Sequence, residues 1–362
     1  MIILEGARTN METQIEKITH DPELDKKIYE RAGKILRAGG LVAFPTETVY
    51  GLGGNASDPE AAKAIYKAKG RPSDNPLIVH IAKRSDLRSL AEDVTEKAEK
   101  LMDRYWPGPI TFILKRKTGV PDEVTGGLDT VAVRMPAHPV ARKLIEASGV
   151  FIAAPSANLS GRPSPTSAEH VIEDLSGRID MIIEDDSVDI GLESTIVDCS
   201  VDPPVLLRPG NVTPEDIRAL IGDLLISEAV AGAVMVNEDT PRAPGMKYRH
   251  YAPEAPLIIV RGRPDAVVDK INEMTEKDKQ AGKKTAVLAT DENKDRYSAD
   301  VVISLGPSKN YRQIGEKLFA ALREMDKYKV QSIYSESFET DRLGLAIMNR
   351  LLKASDNNII SV

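Results

Sequence analysis

Residues 21–56 read DPELDKKIYERAGKILRAGGLVAFPTETVYGLGGNA, and this stretch decides the fold class of the chain. Asp21 and Pro22 begin a predicted helix, which Gly39 and Gly40 end. Apolar residues recur at helical spacing along it, at Leu24, Ile28, Ala32, Ile35 and Leu36. The apolar run 41–44 then predicts a buried strand, and residues 46–56 follow as a predicted glycine-rich loop. A helix joined directly to a buried strand is typical of an α/β protein.

The same alternation continues along the chain. Helices are predicted at 59–69, 94–105, 138–148, 168–175 and 214–221, and strands at 77–81, 110–114, 131–133, 150–154, 181–184, 194–199 and 204–208. Residues 227–255 interrupt this rhythm with Pro241, Pro244, Gly245 and Pro253. After them, strands are predicted at 257–260, 286–289, 301–305 and 332–334, and helices at 265–280, 311–328 and 343–354. We expect a first domain over 15–226, a linker at 227–255, and a smaller, doubly wound parallel domain over 256–362.

The amino-acid composition indicates the cellular compartment and excludes some classes of partner. The 362 residues contain no run of 18 apolar residues, and the N-terminus lacks the apolar region of a signal peptide, so we expect a cytoplasmic protein without a membrane partner. The single cysteine, Cys199, excludes an internal disulfide and a cysteine-cluster zinc site. The net charge of −7 argues against stable nucleic-acid binding, which usually needs a basic surface.

Residues 67–76, KAKGRPSDNP, concentrate basic groups on a turn of restricted shape. Gly70 can end the preceding helix, and two prolines restrict the backbone that follows. Lys69, Arg71 and Asn75 would then face a polyanionic ligand such as a nucleoside triphosphate. The alternative is a basic helix end that the helix dipole favours.

Other polar residues follow predicted strands, where ligands of open α/β sheets bind. Ser156 and Asn158 lie in the turn after strand 150–154, Arg134 follows strand 131–133, and His80 lies within strand 77–81. Each also has an ordinary explanation: a polar turn, a surface ion pair, or a buried histidine with its hydrogen bonds satisfied. Ser194 and Arg208 complete this set.

The familiar nucleotide and hydrolase motifs are weak or missing. Residues 51–56, GLGGNA, fit the loose dinucleotide pattern G-x-G-x-x-A, but no acidic residue stands at a strand end about 20 positions later. The chain has no G-x-x-x-x-G-K-[ST], H-E-x-x-H or G-x-S-x-G motif.

Together these strings resemble the threonylcarbamoyl-AMP synthase family in its long form, which joins a YrdC-like catalytic domain to a C-terminal domain. The resemblance rests on FPTETVYGLG at 44–53, residues 67–76, WPGPITF at 106–112, PSAN at 155–158, LLRPG at 206–210 and APGMKYRHYAP at 243–253. The family's Lys-x-Arg and Ser-x-Asn signature falls on Lys69, Arg71, Ser156 and Asn158. It implies a twisted mixed sheet around a basic cleft, followed by a Rossmann-like parallel sheet.

The resemblance also implies an activity. L-threonine, bicarbonate or CO2, and ATP, accompanied by Mg²⁺, would give threonylcarbamoyl-AMP and pyrophosphate. A downstream tRNA threonylcarbamoyl-transferase would use the product for tRNA modification. Lys69 and Arg71 would be catalytic. The implied ATP contacts are Arg71, Asn75, Thr130, Ser156, Asn158, Ser164, Arg208 and Tyr248, and the implied threonine contacts are Thr48, His80, Arg134, Ala154 and Ser194.

Two other functions remain open at this point: a carbamoyl-adenylate-forming enzyme of the hydrogenase-maturation type, and a non-catalytic RNA-binding module. Within the linker, residues 240–252 carry Lys247, Tyr248, Arg249, His250 and Tyr251. This segment is predicted to be either a lid over the cleft or a passive tether.

Overall fold

The computed structural model describes residues 11–185, 188–231 and 250–362, and its strands form two sheets. The strands of the first sheet are β1 Gln14–Lys17, β2 Val42–Phe44, β3 Gly51–Asn55, β4 Ile78–His80, β5 Ile110–Lys115, β6 Thr130–Arg134, β7 Ile152–Ala154, β8 Met181–Glu184, β9 Thr195–Asp198, β10 Val205–Arg208 and β11 Leu225–Ile226. Their spatial order is β1-β8-β2-β3-β7-β4-β6-β5-β9-β10-β11. Parallel and antiparallel pairs occur side by side, which confirms the expected mixed sheet.

Eight helices accompany this sheet in the described residues. They are α1 Pro22–Arg37, α2 Pro59–Lys69, α3 Glu96–Tyr105, α4 Asp122–Thr125, α5 Pro139–Ser148, α6 Ala168–Leu175, α7 Pro214–Ile221 and α8 Glu228–Ala231, with a 3₁₀ turn at Arg84–Ser89. Six of them are predicted from the sequence, and the two four-residue helices α4 and α8 are not. The Asp21 side chain caps α1 by accepting from the N–H groups of Glu23 and Leu24. The buried stripe of α1 includes Ile28 and Leu36, but Leu24 is half exposed, so its predicted place in that stripe is wrong.

The predicted glycine-rich loop is wrong in its second half, because residues 51–55 form strand β3. This strand pairs with β2 and β7 near the middle of the sheet. A Cβ on Gly53 would lie 2.6 Å from Ile152 Cγ2 and 2.9 Å from Phe44 Cε1. Glycine is therefore needed here for close packing on both sides, and no dinucleotide-binding turn exists at this position.

The second sheet is fully parallel, as expected of the doubly wound domain. Its strands are β12 Leu257–Arg261, β13 Thr285–Ala289, β14 Val301–Ser304, β15 Ser332–Glu336 and β16 Ile359–Ser361, in the order β14-β13-β15-β12-β16. Its helices are α9 Pro264–Gln280, α10 Tyr311–Lys327 and α11 Arg342–Ala354, with a 3₁₀ turn at Lys294–Arg296. One apolar core joins α10 and α11 to the sheet, and a second core joins α9 to it.

The two domains meet at loops of the first domain. Val49 and Leu192 are buried in the core that contains α10 and α11. The backbone at Gly191 approaches α10 so closely that a Cβ there would lie 2.5 Å from Glu316 Cα. The second domain therefore packs directly against the segments that precede β3 and β9.

No helix in the described part of the chain is both long and apolar enough to cross a membrane.

Candidate active site

The loops at the ends of β2, β4, β6, β7 and β10 surround one cavity. Its empty volume, including open solvent at the mouth, is about 690 Å³. Ten of the predicted site residues line it: Thr48, Lys69, Arg71, His80, Arg134, Ala154, Ser156, Asn158, Ser194 and Arg208. Residues scattered over 161 positions of sequence are thus brought to one place.

Lys69 joins the two predicted halves of the site. It is the last residue of α2, and Gly70 ends the helix in the left-handed conformation, with φ of +62°. Lys69 Nζ donates to the carbonyl oxygens of Ser156 and Asn158, each at 2.5 Å. Burial and the nearby Arg71 cation hold the pKa of Lys69 well below its usual value.

The turn after β7 is fixed before any ligand arrives. The Ser156 hydroxyl donates to Asn158 Oδ1 at 2.6 Å, and the Asn158 amide donates to the carbonyl oxygens of Leu159 and Arg162. The backbone N–H of Ala157 donates to the carbonyl oxygen of Tyr50. The serine–asparagine turn is therefore held against the β3 end of the cavity.

Arg71 extends from the other half of the site. Its Nη2 donates to the carbonyl oxygens of Asn75 at 3.4 Å and Pro76 at 3.3 Å, so the proline-containing turn folds back on its own arginine. The Tyr66 hydroxyl donates to the same Asn75 carbonyl. This turn has the restricted shape that its glycine and prolines predict.

Arg134 makes three hydrogen bonds at one end of the cavity. Nη2 donates to Glu47 Oε1 at 2.7 Å, Nη1 donates to Thr48 Oγ1 at 2.9 Å, and Nε donates to the Gly108 carbonyl oxygen at 3.4 Å. Burial alone would raise the pKa of Glu47, but the Arg134 guanidinium outweighs burial and the pKa is lowered. Three of the five N–H groups of Arg134 make these bonds, which leaves two for a ligand.

His80 adds a neutral polar group to the same end. Its Nδ1 lies 3.0 Å from the Ile78 carbonyl oxygen, which can only accept, so Nδ1 carries a proton. Burial, reinforced by the Arg134 cation, lowers the pKa of His80 to about 3. At neutral pH the ring is therefore uncharged.

Arg208 and Glu193 form the remaining wall. Arg208 donates from Nε to the Ser194 carbonyl oxygen at 3.0 Å and from Nη2 to Ser194 Oγ at 3.1 Å. Burial lowers the pKa of Arg208 to about 10, so the guanidinium stays charged at neutral pH. Beside it, Glu193 Oε1 accepts from the Ser164 hydroxyl at 2.5 Å.

Four predicted contacts do not line the cavity or cannot be placed. Ser164 lies behind Glu193, and Asn75 is fully buried, with no hydrogen-bond partner for its side-chain amide in the described residues. Thr130 begins β6, about 13 Å along the strand from Arg134. Tyr248 lies outside the described residues. Their nucleotide contacts stay predictions.

Sequence reasoning missed two acidic residues at the site. Glu47 forms an ion pair with Arg134, and Glu193 forms an ion pair with Arg350. Glu47 lies inside the string 44–53 and Glu193 lies next to Ser194, but their roles depend on partners far away in sequence. His250 and Tyr251, from the end of the predicted linker, also line the cavity.

The cavity is predominantly cationic. Lys69, Arg71, Arg134, Arg162 and Arg208 line it, against Glu193 as the one carboxylate among the described lining residues. No cluster of three potential metal-ligating side chains occurs within residues 11–185, 188–231 and 250–362. Fold and site together define an α/β protein with a cationic cavity, whose charge suits a polyanionic ligand.

Comparisons with known proteins give this class a family. Residues 34–210 match the Sua5, YciO and YrdC family model, described as "Telomere recombination", and residues 212–356 match the model described as "Threonylcarbamoyl-AMP synthase, C-terminal domain". A relative from Pyrococcus abyssi named threonylcarbamoyl-AMP synthase is 53% identical over 91% of this chain and 95% of its own length. A relative of the same name from Bacillus subtilis is 49% identical over 95% and 96%.

A solved structure agrees with the sequence matches. The crystal structure of P. abyssi Sua5 complexed with L-threonine has a TM-score of 0.90 and 50% identity, covering 97% of this chain and 99% of that one. The chain belongs to the threonylcarbamoyl-AMP synthase family, whose members are nucleotidyl-transferring enzymes. The suspected resemblance is confirmed, and the hydrogenase-maturation and non-catalytic RNA-binding alternatives are not favoured.

Proposed function

We propose that this chain forms threonylcarbamoyl-AMP and pyrophosphate from L-threonine, bicarbonate or CO2, and ATP. The observation that carries the proposal is the direct contact of Lys69 with the carbonyl oxygens of Ser156 and Asn158. This contact joins the two halves of the family signature at one cationic cavity. The L-threonine complex of the P. abyssi relative supports threonine as the second ligand.

Threonine would bind at the Arg134 end. The two remaining N–H groups of Arg134 suit a carboxylate, because a guanidinium can donate to both oxygens. Thr48, His80 and Ser194 supply neutral polar groups nearby, and Ala154 leaves room beside them. The Glu47 carboxylate holds Arg134 in one orientation before substrate arrives.

ATP would bind along Lys69, Arg71, Asn158 and Arg208. In the proposed reaction, the threonine amine captures CO2 as a carbamate, a carbamate oxygen attacks the α-phosphorus, and pyrophosphate leaves. This route needs no protein nucleophile. It needs cations that neutralise the phosphates, fixed geometry, and exclusion of water. Lys69 and Arg71 supply the first of these, and we propose them as catalytic residues.

Mg²⁺ would enter with ATP rather than at a site built by the protein. Glu193 is the one carboxylate among the described lining residues, and both of its oxygens are engaged, one by Ser164 and the other by Arg350. The described residues therefore do not fit a dedicated metal site, and Mg²⁺ would be held by phosphate oxygens, as it commonly is.

The product defines the wider role that we propose. Threonylcarbamoyl-AMP is an activated carbamic–phosphoric mixed anhydride, so we expect an enzyme that transfers its carbamoyl group to an acceptor to consume it. We propose a tRNA threonylcarbamoyl-transferase as that enzyme and the cytoplasm as the compartment where ATP, threonine and tRNA occur together.

The decisive experiment measures pyrophosphate release from ATP by the purified full chain. Release should require both L-threonine and bicarbonate, and the product should have the mass of threonylcarbamoyl-AMP. Release that is independent of either substrate would overturn the proposed function.

A matched pair of variants tests the cationic turn. Arg71→Ala should abolish turnover with folding intact, because a phosphate-facing cation is lost. Lys67→Ala, on the exposed side of the same helix end, should keep wild-type activity. Circular dichroism checks that both variants fold, and full activity of folded Arg71→Ala contradicts the assigned role.

A further inference from the structure

One arginine of the second domain contacts two loops that line the candidate active site. Arg350 lies on α11 and is fully buried. Its Nε donates to Glu193 Oε2 at 3.0 Å, and its Nη1 donates to the Pro209 carbonyl oxygen at 2.6 Å. Both acceptors belong to the first domain, so a single guanidinium bridges the domain boundary.

Both acceptors also adjoin residues that line the cavity. Glu193 precedes Ser194, and Pro209 follows Arg208. Arg208 itself donates twice to Ser194, so the two loops already contact each other. They lie so close that a Cβ on Gly210 would be 2.5 Å from the Thr195 backbone nitrogen. Arg350 bonds to both loops, at Glu193 and at Pro209, from outside the cavity.

Glu193 also contacts a third segment, which contains Ser164. Its other oxygen, Oε1, accepts from the buried Ser164 hydroxyl at 2.5 Å. Burial would raise the pKa of Glu193, but Arg350 and then Arg208 outweigh it, so the carboxylate stays ionised. An ionised carboxylate with fixed partners is a strong acceptor, which holds Ser164 in one orientation.

Arg350 is also placed against the end of the linker. Its Cζ lies 5.9 Å from the centre of the Tyr251 ring, a cation–π distance. Tyr251 lines the cavity, whereas Arg350 does not. The arginine therefore contacts the surroundings of the cavity while staying out of reach of a ligand.

We propose that Arg350 is a positioning residue for the nucleotide end of the active site. Acting through Glu193 and Pro209, it holds Ser164 and Arg208 in the arrangement that binds ATP. The second domain thus completes the ATP site without touching ATP. This inference rests on the proposed function, because it assumes that ATP occupies the Arg208 side of the cavity.

The test compares ATP and threonine binding in full-length Arg350→Gln. The variant should weaken ATP binding by about tenfold or more, the effect of one lost charge-assisted hydrogen bond. Threonine binding, which depends on the Arg134 end, should stay within about twofold of wild type. Calorimetric dissociation constants and KM values for both substrates give the readout. Equal loss for both substrates, or no loss for ATP, overturns the proposal.

Two further variants show whether Arg350 acts through Glu193. Arg350→Lys keeps the positive charge but lacks the planar fork, so its ATP affinity should fall between those of wild type and Arg350→Gln. In the double variant Glu193→Gln/Arg350→Gln no buried carboxylate is left unpaired. The two substitutions should then be less than additive, and full additivity contradicts the proposed route. If Arg350→Gln does not fold, Arg350→Lys alone tests the proposal: its loss of ATP affinity should exceed its loss of threonine affinity, and equal losses overturn the proposal.

Lys327→Gln is the control for domain contact in general. It removes an ion pair between the same domains, Lys327 with Glu173 at 3.6 Å, whose two side chains are 61% and 39% exposed. Both substrate affinities should stay unchanged, and a loss of ATP binding in this control overturns the specific role of Arg350. Failure of the proposed function itself is distinguishable, because the wild-type protein would then fail to bind ATP or to release pyrophosphate.

Discussion

At the scale of single residues, burial decides which groups in the cavity carry charge. The Arg134 guanidinium lowers the pKa of the buried Glu47 carboxyl, which stays ionised, whereas burial lowers the pKa of His80 and keeps its ring neutral. Burial lowers the pKa of Lys69, and its Nζ donates to two carbonyl oxygens that partly replace water. Charge in this site is therefore set by specific partners and by solvent exclusion, more than by residue type.

His80 gives a pH-dependent prediction. Its pKa falls from about 6.5 in the unfolded chain to about 3 on folding. Between these values the unfolded state binds one more proton, so the contribution of His80 to stability is full above pH 6.5 and is lost as the pH falls. From pH 7.5 to pH 5.0 this loss is about 2 kcal/mol. In His80→Gln, urea unfolding should show a correspondingly smaller loss, and identical losses in both proteins contradict the assignment.

At the scale of elements, β3 shows how a glycine-rich segment becomes a central strand. Gly53 lies between Phe44 and Ile152, and Gly54 faces Ile65 of α2. The missing side chains let neighbouring strands and the helix pack closely around β3. The same strand brings Gly51 opposite Ser156, and so helps to place the serine–asparagine turn.

Gly53→Ala tests this packing. The added methyl group would overlap Ile152 Cγ2 and a ring carbon of the fully buried Phe44, neither of which is the end of a flexible side chain. We expect a loss of about 1 to 3 kcal/mol in the free energy of unfolding, as for other overpacked cores. Gly51→Ala is the matched control in the same strand, because its nearest contact is a milder 3.3 Å. Similar losses for both variants, measured by urea unfolding, contradict the packing argument.

Local patterns predicted most of the elements, and the failures have physical causes. The 16-residue helix α1 is predictable because its sequence contains a cap, periodic apolar residues and terminal glycines. The sequence of β3 predicts a loop because glycine lacks the side chain on which strand patterns depend. The short edge strands β1, β11 and β16 are not predicted, since they form only where another strand offers backbone partners.

The site was predictable to the extent that its residues lie in recognisable strings. Lys69, Arg71, Ser156 and Asn158 do, and they meet at the cavity. The role of Glu193 was not predictable, because it follows from Arg350, which lies 157 residues away on another domain. A carboxylate beside a serine in a loop gives no local sign that a buried cation from elsewhere will neutralise it.

At the scale of the whole molecule, two buried arginines fasten the second domain to the first. Arg350 bonds to Glu193, and Arg323 of α10 bonds to Asp174 of α6 at 2.7 Å. Arg323 also donates to the Pro163 carbonyl oxygen at 2.6 Å, immediately before Ser164. Both arginines therefore end at segments around the cavity, so the arrangement of the domains and the shape of the active site are physically linked.

Arg323→Gln measures how much such a buried contact stabilises the molecule. The Arg323 and Asp174 side chains are 1% and 0% exposed, so removing the cation leaves a buried carboxylate that retains Arg162 as a partner. We expect a loss of about 3 kcal/mol in the free energy of unfolding, the low end of the range for a broken buried ion pair. Urea unfolding of the full chain provides the measurement.

Lys327→Gln again supplies the control, now for stability. Lys327 lies one turn beyond Arg323 on α10, and its partner Glu173 is the neighbour of Asp174 on α6, so both pairs join the same two helices. Because the Lys327 pair is exposed to solvent, its removal should change stability by less than about 1 kcal/mol. Equal effects of the two substitutions would mean that burial does not set the strength of these contacts. A large effect confined to Arg323→Gln would mean that the second domain is held by its desolvated arginines, with the exposed charges around them contributing little.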